Sequence, residues 1–168
     1  MKHLEDIKEL LVIEDGLYTL RASPVAGVGG MYATWNGTFK VVTVAAEVPK
    51  NFGRQTWKIT AVKGKKNIYT IVLHHKHDIS LRGSWSLEDN LAIPRGPIIT
   101  TPADVEWEIF PANKGIHDTF FIKPVAKFNG RVTWFVGTND KKEVVIKTSP
   151  VLLPPFPDRP YWQIIKSS

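Results

Sequence analysis

Apolar and polar positions alternate along most of this chain. Where an aromatic residue is followed two positions later by Leu or Ile, both side chains point to one side of an extended segment, which is the period of a half-buried strand and not of a helix. Such pairs occur at Tyr18-Thr19-Leu20, Tyr69-Thr70-Ile71 and Phe120-Phe121-Ile122, and again at Trp57-Lys58-Ile59, Trp107-Glu108-Ile109 and Trp162-Gln163-Ile164. Asn36-Gly37 and Asn129-Gly130 predict the paired positive-φ residues of type I′ hairpins. Gly64-Lys65-Lys66-Asn67 and Asn113-Lys114-Gly115 separate a tryptophan strand from the next aromatic one. Helical spacing is confined to Leu4, Ile7, Leu10 and Leu11, which predict a short amphipathic turn or an extension ahead of the first strand. Prolines spread from Pro24 to the cluster Pro150 to Pro160 argue against long helices elsewhere.

The motifs recur at a fixed step. Tyr18, Tyr69 and Phe120 lie 51 and 51 residues apart; Trp57, Trp107 and Trp162 lie 50 and 55 apart; Trp35, Trp85 and Trp134 lie 50 and 49 apart. All six tryptophans therefore fall into two interleaved triplets, and a period of about fifty residues marks a repeat architecture. The longer step to Trp162 is explained by an extended insertion around Leu153-Pro154-Pro155-Phe156-Pro157-Asp158. Three pseudo-repeats with four short strands each give about twelve strands. Closing them into a threefold all-β barrel, the β-trefoil, leaves few strand edges unpaired. The predicted organisation is an N-terminal extension over residues 1–13 and a single β-trefoil domain over residues 14–168.

Length and composition agree with one self-sufficient core: 168 residues fit a single domain, and an apolar fraction of 43% is that of an ordinary globular chain. The absence of cysteine removes disulfides, thiol nucleophiles and cysteine-ligated zinc together. Glu5, Asp6 and Glu9 interrupt the apolar residues of Met1 to Val12, so no secretory signal is predicted, and no run reaches transmembrane length. The expectation is a cytoplasmic monomer, or a mature form whose signal has been removed, with no membrane partner. The net charge of +6 raises the question of a polyanionic partner. Lys63, Lys65 and Lys66 share one turn and Lys141 and Lys142 another, a whole repeat away, which reads as solvated hairpin tips. No aromatic interleaving of the strand-binding kind accompanies them, so no nucleic acid is predicted.

Catalysis is not predicted either. There is no Gly-x-Ser-x-Gly elbow, no His-Glu-x-x-His and no phosphate-cradling glycine loop ahead of a helix. The best metal candidate, His75-x-His77 beside His74, lacks carboxylate support, so no metal and no cofactor are expected. Asn36-Gly37-Thr38 is a formal glycosylation sequon already explained as a turn. The trefoil also hosts lectins, whose common signature is Gln-x-Trp once per repeat. Gln55-Thr56-Trp57 fits, whereas Val105-Glu106-Trp107 and Pro160-Tyr161-Trp162 do not, and the periodic tryptophans read as core residues. A carbohydrate-binding lectin stays as an alternative.

One resemblance sharpens the choice. Glu14-Asp15-Gly16-Leu17-Tyr18-Thr19-Leu20, followed by Gly27-Val28-Gly29-Gly30-Met31-Tyr32-Ala33-Thr34, resembles the opening of the mycocypins, the fungal β-trefoil inhibitors of cysteine proteases. The likeness continues through Gln55-Thr56-Trp57, Asn67-Ile68-Tyr69-Thr70-Ile71, Trp107-Glu108-Ile109-Phe110-Pro111-Ala112 and Pro157-Asp158-Arg159-Pro160-Tyr161-Trp162. The middle and third repeats look nearer to the macrocypins than to clitocypin. What the resemblance implies is a reversible inhibitor that wedges two first-repeat loops into the cleft of a papain-like cysteine protease. By position these are Ala26, Gly27, Val28, Gly29 and Gly30, and Pro49, Lys50, Asn51, Phe52, Gly53 and Arg54. Such a wedge must bring backbone close to the catalytic thiol, and glycines permit that approach.

In members of the mycocypins a second-repeat loop acts on legumain or on trypsin-like serine proteases. The corresponding stretch here is His74-His75-Lys76-His77-Asp78-Ile79-Ser80-Leu81-Arg82, with Ile79 on or near the place where the resemblance would put an asparagine. Legumain inhibition is therefore not predicted. Lys76 or Arg82 could instead enter the acidic specificity pocket of a trypsin-like protease, with Asp78 and Ile79 between them.

Overall fold

The computed structural model describes residues 13–23, 31–49, 53–74, 83–112, 115–125, 132–150 and 159–167. The amphipathic turn at Leu4 to Leu11, the Asn129-Gly130 turn, Asn113-Lys114 and the Leu153 to Asp158 insertion lie outside these residues. Twelve strands run through the described residues: β1 (Gly16–Ala22), β2 (Tyr32–Thr34), β3 (Thr43–Ala45), β4 (Trp57–Ala61), β5 (Ile68–Leu73), β6 (Ser84–Leu87), β7 (Ile98–Thr101), β8 (Trp107–Pro111), β9 (Thr119–Pro124), β10 (Val132–Thr138), β11 (Val144–Pro150) and β12 (Trp162–Lys166). One 3-10 turn at Glu88–Asn90 is the single helical element among them.

Six strands close a ring. Antiparallel pairing runs from β1 to β12, β9, β8, β5, β4 and back to β1. The register repeats three times. Tyr18 lies opposite Trp57, Tyr69 opposite Trp107 and Phe120 opposite Trp162. Between them Leu20 faces Ile164, Ile71 faces Ile59 and Ile122 faces Ile109. These are the residues of the aromatic-x-Leu/Ile and Trp-x-Ile motifs, and all of them are buried. The period-2 alternation thus delivers one aromatic and one aliphatic layer to the barrel interior, while Lys58, Thr70 and Glu108 point outward.

Three hairpins complete the fold: β2 with β3, β6 with β7, and β10 with β11. The first two continue from the ring through Arg21 opposite Tyr32 and Val72 opposite Ser84, and β10 packs beside β9. Each is locked to the ring by an indole. Trp57 Nε1–H donates to Ala33 O at 3.0 Å, Trp107 Nε1–H to Trp85 O at 2.9 Å and Trp162 Nε1–H to Val136 O at 2.9 Å. Buried polar groups need such partners, and here the partner is always the backbone of a hairpin's first strand. The Trp85 ring stands at the centre of the three, edge-on to Trp57, Trp107 and Trp162 at 5.8, 6.1 and 5.9 Å between centroids.

The hairpins also hold one another. Val42 N–H donates to Ile98 O and Val144 N–H to Val42 O, each at 2.8 Å, and all three side chains are fully buried at their meeting point. The first tip leans on β7 through Phe39 N–H to Thr100 O, the second on β11 through Arg95 N–H to Ile146 O, and the third on β3, whose Val44 N–H donates to Lys142 O. That cycle explains a departure from expectation at Asn36-Gly37. These residues do not form a two-residue type I′ turn. Residues 35–42 connect β2 to β3, with left-handed backbone at Gly37 and Phe39, because the tip must reach across to Thr100. The amide of Asn36 bridges the connection instead, donating to Val41 O at 2.9 Å and Thr43 Oγ1 at 2.8 Å. The turn at Gly64 to Asn67 forms as predicted, with both of those residues at positive φ.

Candidate functional site

The two first-repeat loops leave the barrel side by side because of how β2 pairs. Tyr32 opens β2 at the end of the first loop, and its partner across the hairpin is Ala45, the last residue before the second. The first connection is closed at its base by Ala22 N–H donating to Met31 O at 2.8 Å, and Ser23 N–H ties it to Tyr161 O at 3.0 Å. Ala26, Gly27, Val28, Gly29 and Gly30 lie outside the described residues.

The second connection is held by Gln55, which lies two positions before the core residue Trp57 and so points inward with it. At 5% exposure its amide must be satisfied inside the protein, and it is. Nε2 donates to Thr34 Oγ1 at 3.0 Å and to Ala46 O at 2.9 Å, while Oε1 accepts from Val48 N–H at 2.8 Å. One side chain thereby binds β2 and both ends of the 46–55 stretch. Next to it, Arg54 grips the chain after β2: Trp35 N–H donates to Arg54 O at 2.8 Å, Arg54 Nε donates to Trp35 O at 3.1 Å, and Arg54 Nη2 donates to Asn36 Oδ1 at 2.9 Å. Gly53 precedes it with φ at 61°, a left-handed position where a Cβ is unfavourable. Pro49 and Arg54 are exposed and Gly53 is half-buried, whereas Lys50, Asn51 and Phe52 lie outside the described residues.

The stems of the second-repeat loop emerge beside the same connection. His74 N–H donates to Thr56 O at 2.9 Å, and Leu73 N–H donates to Gly83 O at 2.8 Å. Lys76, Asp78, Ile79 and Arg82, and with them His75-x-His77, lie outside the described residues.

The described stems of the two first-repeat connections are tied to the barrel by hydrogen bonds of Ala22, Ser23, Arg54 and Gln55. Among the described residues no group of three His, Asp or Glu side chains is placed to hold a metal ion. Trp57, Trp85, Trp107 and Trp162 are fully buried, so they offer no ring face to a sugar, and Gln55 of the Gln-x-Trp motif is consumed by the loop it braces. In the sequence Gln55 stands out within Gln55-Thr56-Trp57, a lectin-like motif and a part of the mycocypin resemblance, with no role of its own. Its two-residue offset from a core tryptophan was the signal that could have marked it as buried.

Comparison with known proteins places the geometry in context. Residues 16–164 match the protein family described as peptidase inhibitor clitocypin. Clitocypin of Clitocybe nebularis is 42% identical over 52 residues, covering 29% of this chain and 35% of the relative. Clitocypin-4/-3 of the same fungus is 44% identical over 52 residues, covering 29% of this chain and 34% of the relative. These matches span about a third of the length of the relatives.

Proposed function

Because the chain belongs to the clitocypin family of peptidase inhibitors, we propose that it inhibits papain-like cysteine proteases by wedging its two first-repeat loops into the active-site cleft. In this reading the six-stranded ring with its three interlocked hairpins is a β-trefoil, and the barrel serves as a rigid stand for residues 26–30 and 49–54. The family is one of inhibitors and not of enzymes, which fits a mechanism of steric occlusion without covalent chemistry.

The observation that carries the proposal is the convergence of both loop stems on β2. Tyr32 and Ala45 face each other, and the Gln55 amide ties Thr34, Ala46 and Val48 into one unit. Pre-ordering the stems reduces the entropy lost on association, which is how an interface of about 800 Å² per partner becomes tight. Glycines at 27, 29 and 30 allow the backbone to approach a catalytic thiol closely.

The test is a pair of variants. Gly29→Trp and Gly30→Trp should each weaken inhibition of papain by at least about tenfold, equivalent to 1.4 kcal/mol of binding. Their melting temperatures should stay within about 2 °C of the parent, as for a surface substitution. Inhibition constants unchanged in both variants would refute the assignment of this loop.

A further inference from the structure

Phe39 is an anomaly in the fold. It has left-handed backbone with φ at 63°, and 67% of its surface is exposed. A bulky residue is strained in that region, where Gly or Asn is favoured, and an exposed phenyl ring gains little from burial to offset the strain. The pseudo-symmetry supplies an internal control. Arg95 occupies the same place in the second tip: its φ is 65°, its N–H donates to Ile146 O as that of Phe39 donates to Thr100 O, and the next N–H closes on Ile93 O as that of Lys40 closes on Gly37 O. The backbone position therefore accepts a solvated cation. Folding does not require a phenyl ring there.

The tip that carries the ring is rigid. Phe39 N–H donates to Thr100 O at 2.7 Å, Thr100 Oγ1 donates to Gly37 O at 2.8 Å, and Asn36 braces Val41 and Thr43. The same tip is joined to the stem of the second loop, since Arg54 binds both Trp35 O and Asn36 Oδ1. An aromatic side chain with few rotatable bonds, fixed on a rigid hairpin, is the kind of group that dominates binding energy at protein interfaces.

We propose that Phe39 is a third contact point of the inhibitor, an aromatic anchor that seats in an apolar recess on the same papain-like protease that takes the first-repeat loops. The inference rests on the reading of those loops as the protease-binding element.

The experiment measures papain inhibition and melting temperature for the full chain and three variants. Phe39→Asn should weaken inhibition at least about tenfold while its melting temperature does not fall, because Asn tolerates the left-handed backbone. Phe39→Tyr should stay within about threefold of the parent, since the ring is retained. Arg95→Asn relieves the equivalent strain and should leave inhibition unchanged. Full inhibition by Phe39→Asn overturns the inference, as does an equal loss in Arg95→Asn or a loss that is matched by a fall in melting temperature. Failure of the parent chain itself to inhibit papain would instead overturn the reading of the loops.

Discussion

Replacing Gln55 with Met keeps the side-chain volume and removes every hydrogen bond that the Gln55 amide makes to brace the second loop, leaving those of Arg54 in place. Three are lost: those to Thr34 Oγ1, to Ala46 O and from Val48 N–H. At about 1 kcal/mol each the full set amounts to roughly 3 kcal/mol. Ala46 is exposed and Val48 half-buried, so water can recover part of those two, and the net cost should be about 1–2 kcal/mol. For a chain of this length that lowers the melting temperature by about 3–6 °C. Thr34→Val removes one of the same bonds together with the bond that Thr34 Oγ1 donates to Tyr32 O, and should cost about 1–2 kcal/mol; the double variant should cost less than the sum of the two single variants, because they share one interaction. The stability readout is thermal unfolding followed by circular dichroism. The functional readout is the papain inhibition constant, which should rise about tenfold as the loop loses its pre-ordering. A Gln55→Met protein that melts and inhibits like the parent would show that the amide does not organise the loop.

Other predictions follow from the same geometry. Trp107→Ala removes a fully buried ring, its bond to Trp85 O and its edge contact with Trp85, and should cost about 3–5 kcal/mol in urea unfolding; a loss below about 1 kcal/mol would place this tryptophan outside the core. Gly53→Ala forces a Cβ onto a left-handed backbone and should cost about 1–2 kcal/mol, whereas Gly53→Asn should be milder, as thermal melts of both will show. Burial pushes the Tyr18 phenol above its ordinary 10.0, with the Glu14 charge adding to the rise, and burial does the same at Tyr69. Because the neutral form is favoured in the folded state, their contribution to stability is complete below pH 10 and is lost as pH rises from 10 through the raised values. Phenolate absorbance at 295 nm should then show Tyr18 and Tyr69 titrating late in the folded protein, and Tyr18→Phe should remove part of that late phase.

Much of the architecture could be read from periodicity. Tyr18, Tyr69 and Phe120 at steps of 51 are the residues that face Trp57, Trp107 and Trp162 around the ring. Interior positions carry the repeat because each repeat fills an equivalent third of one core. The second tryptophan triplet is less regular. Trp85 is the central ring and fully buried, Trp134 is buried, and Trp35 lies beyond the end of β2 and is only half-buried. Spacing alone could not separate these roles, since they depend on which ring occupies the axis. The interlocked hairpins were equally out of reach: Val42 bonds to Ile98, a partner 56 residues away with no local signature. At the candidate site the glycines and the resemblance pointed to the loops. The brace at the base of the second was not visible: the offset from Trp57 could mark Gln55 as buried, but only the fold brings its partners Thr34, Ala46 and Val48 to it.

The central claim is inhibition of a papain-like protease through the first-repeat loops. It is tested most directly by a steady-state titration of papain with the purified chain on a fluorogenic peptide, with trypsin and legumain in parallel. The account predicts reversible, tight inhibition of papain with one inhibitor per enzyme. Inhibition of trypsin alone would move the contact to Lys76 or Arg82, and no effect on any of the three enzymes would contradict the account.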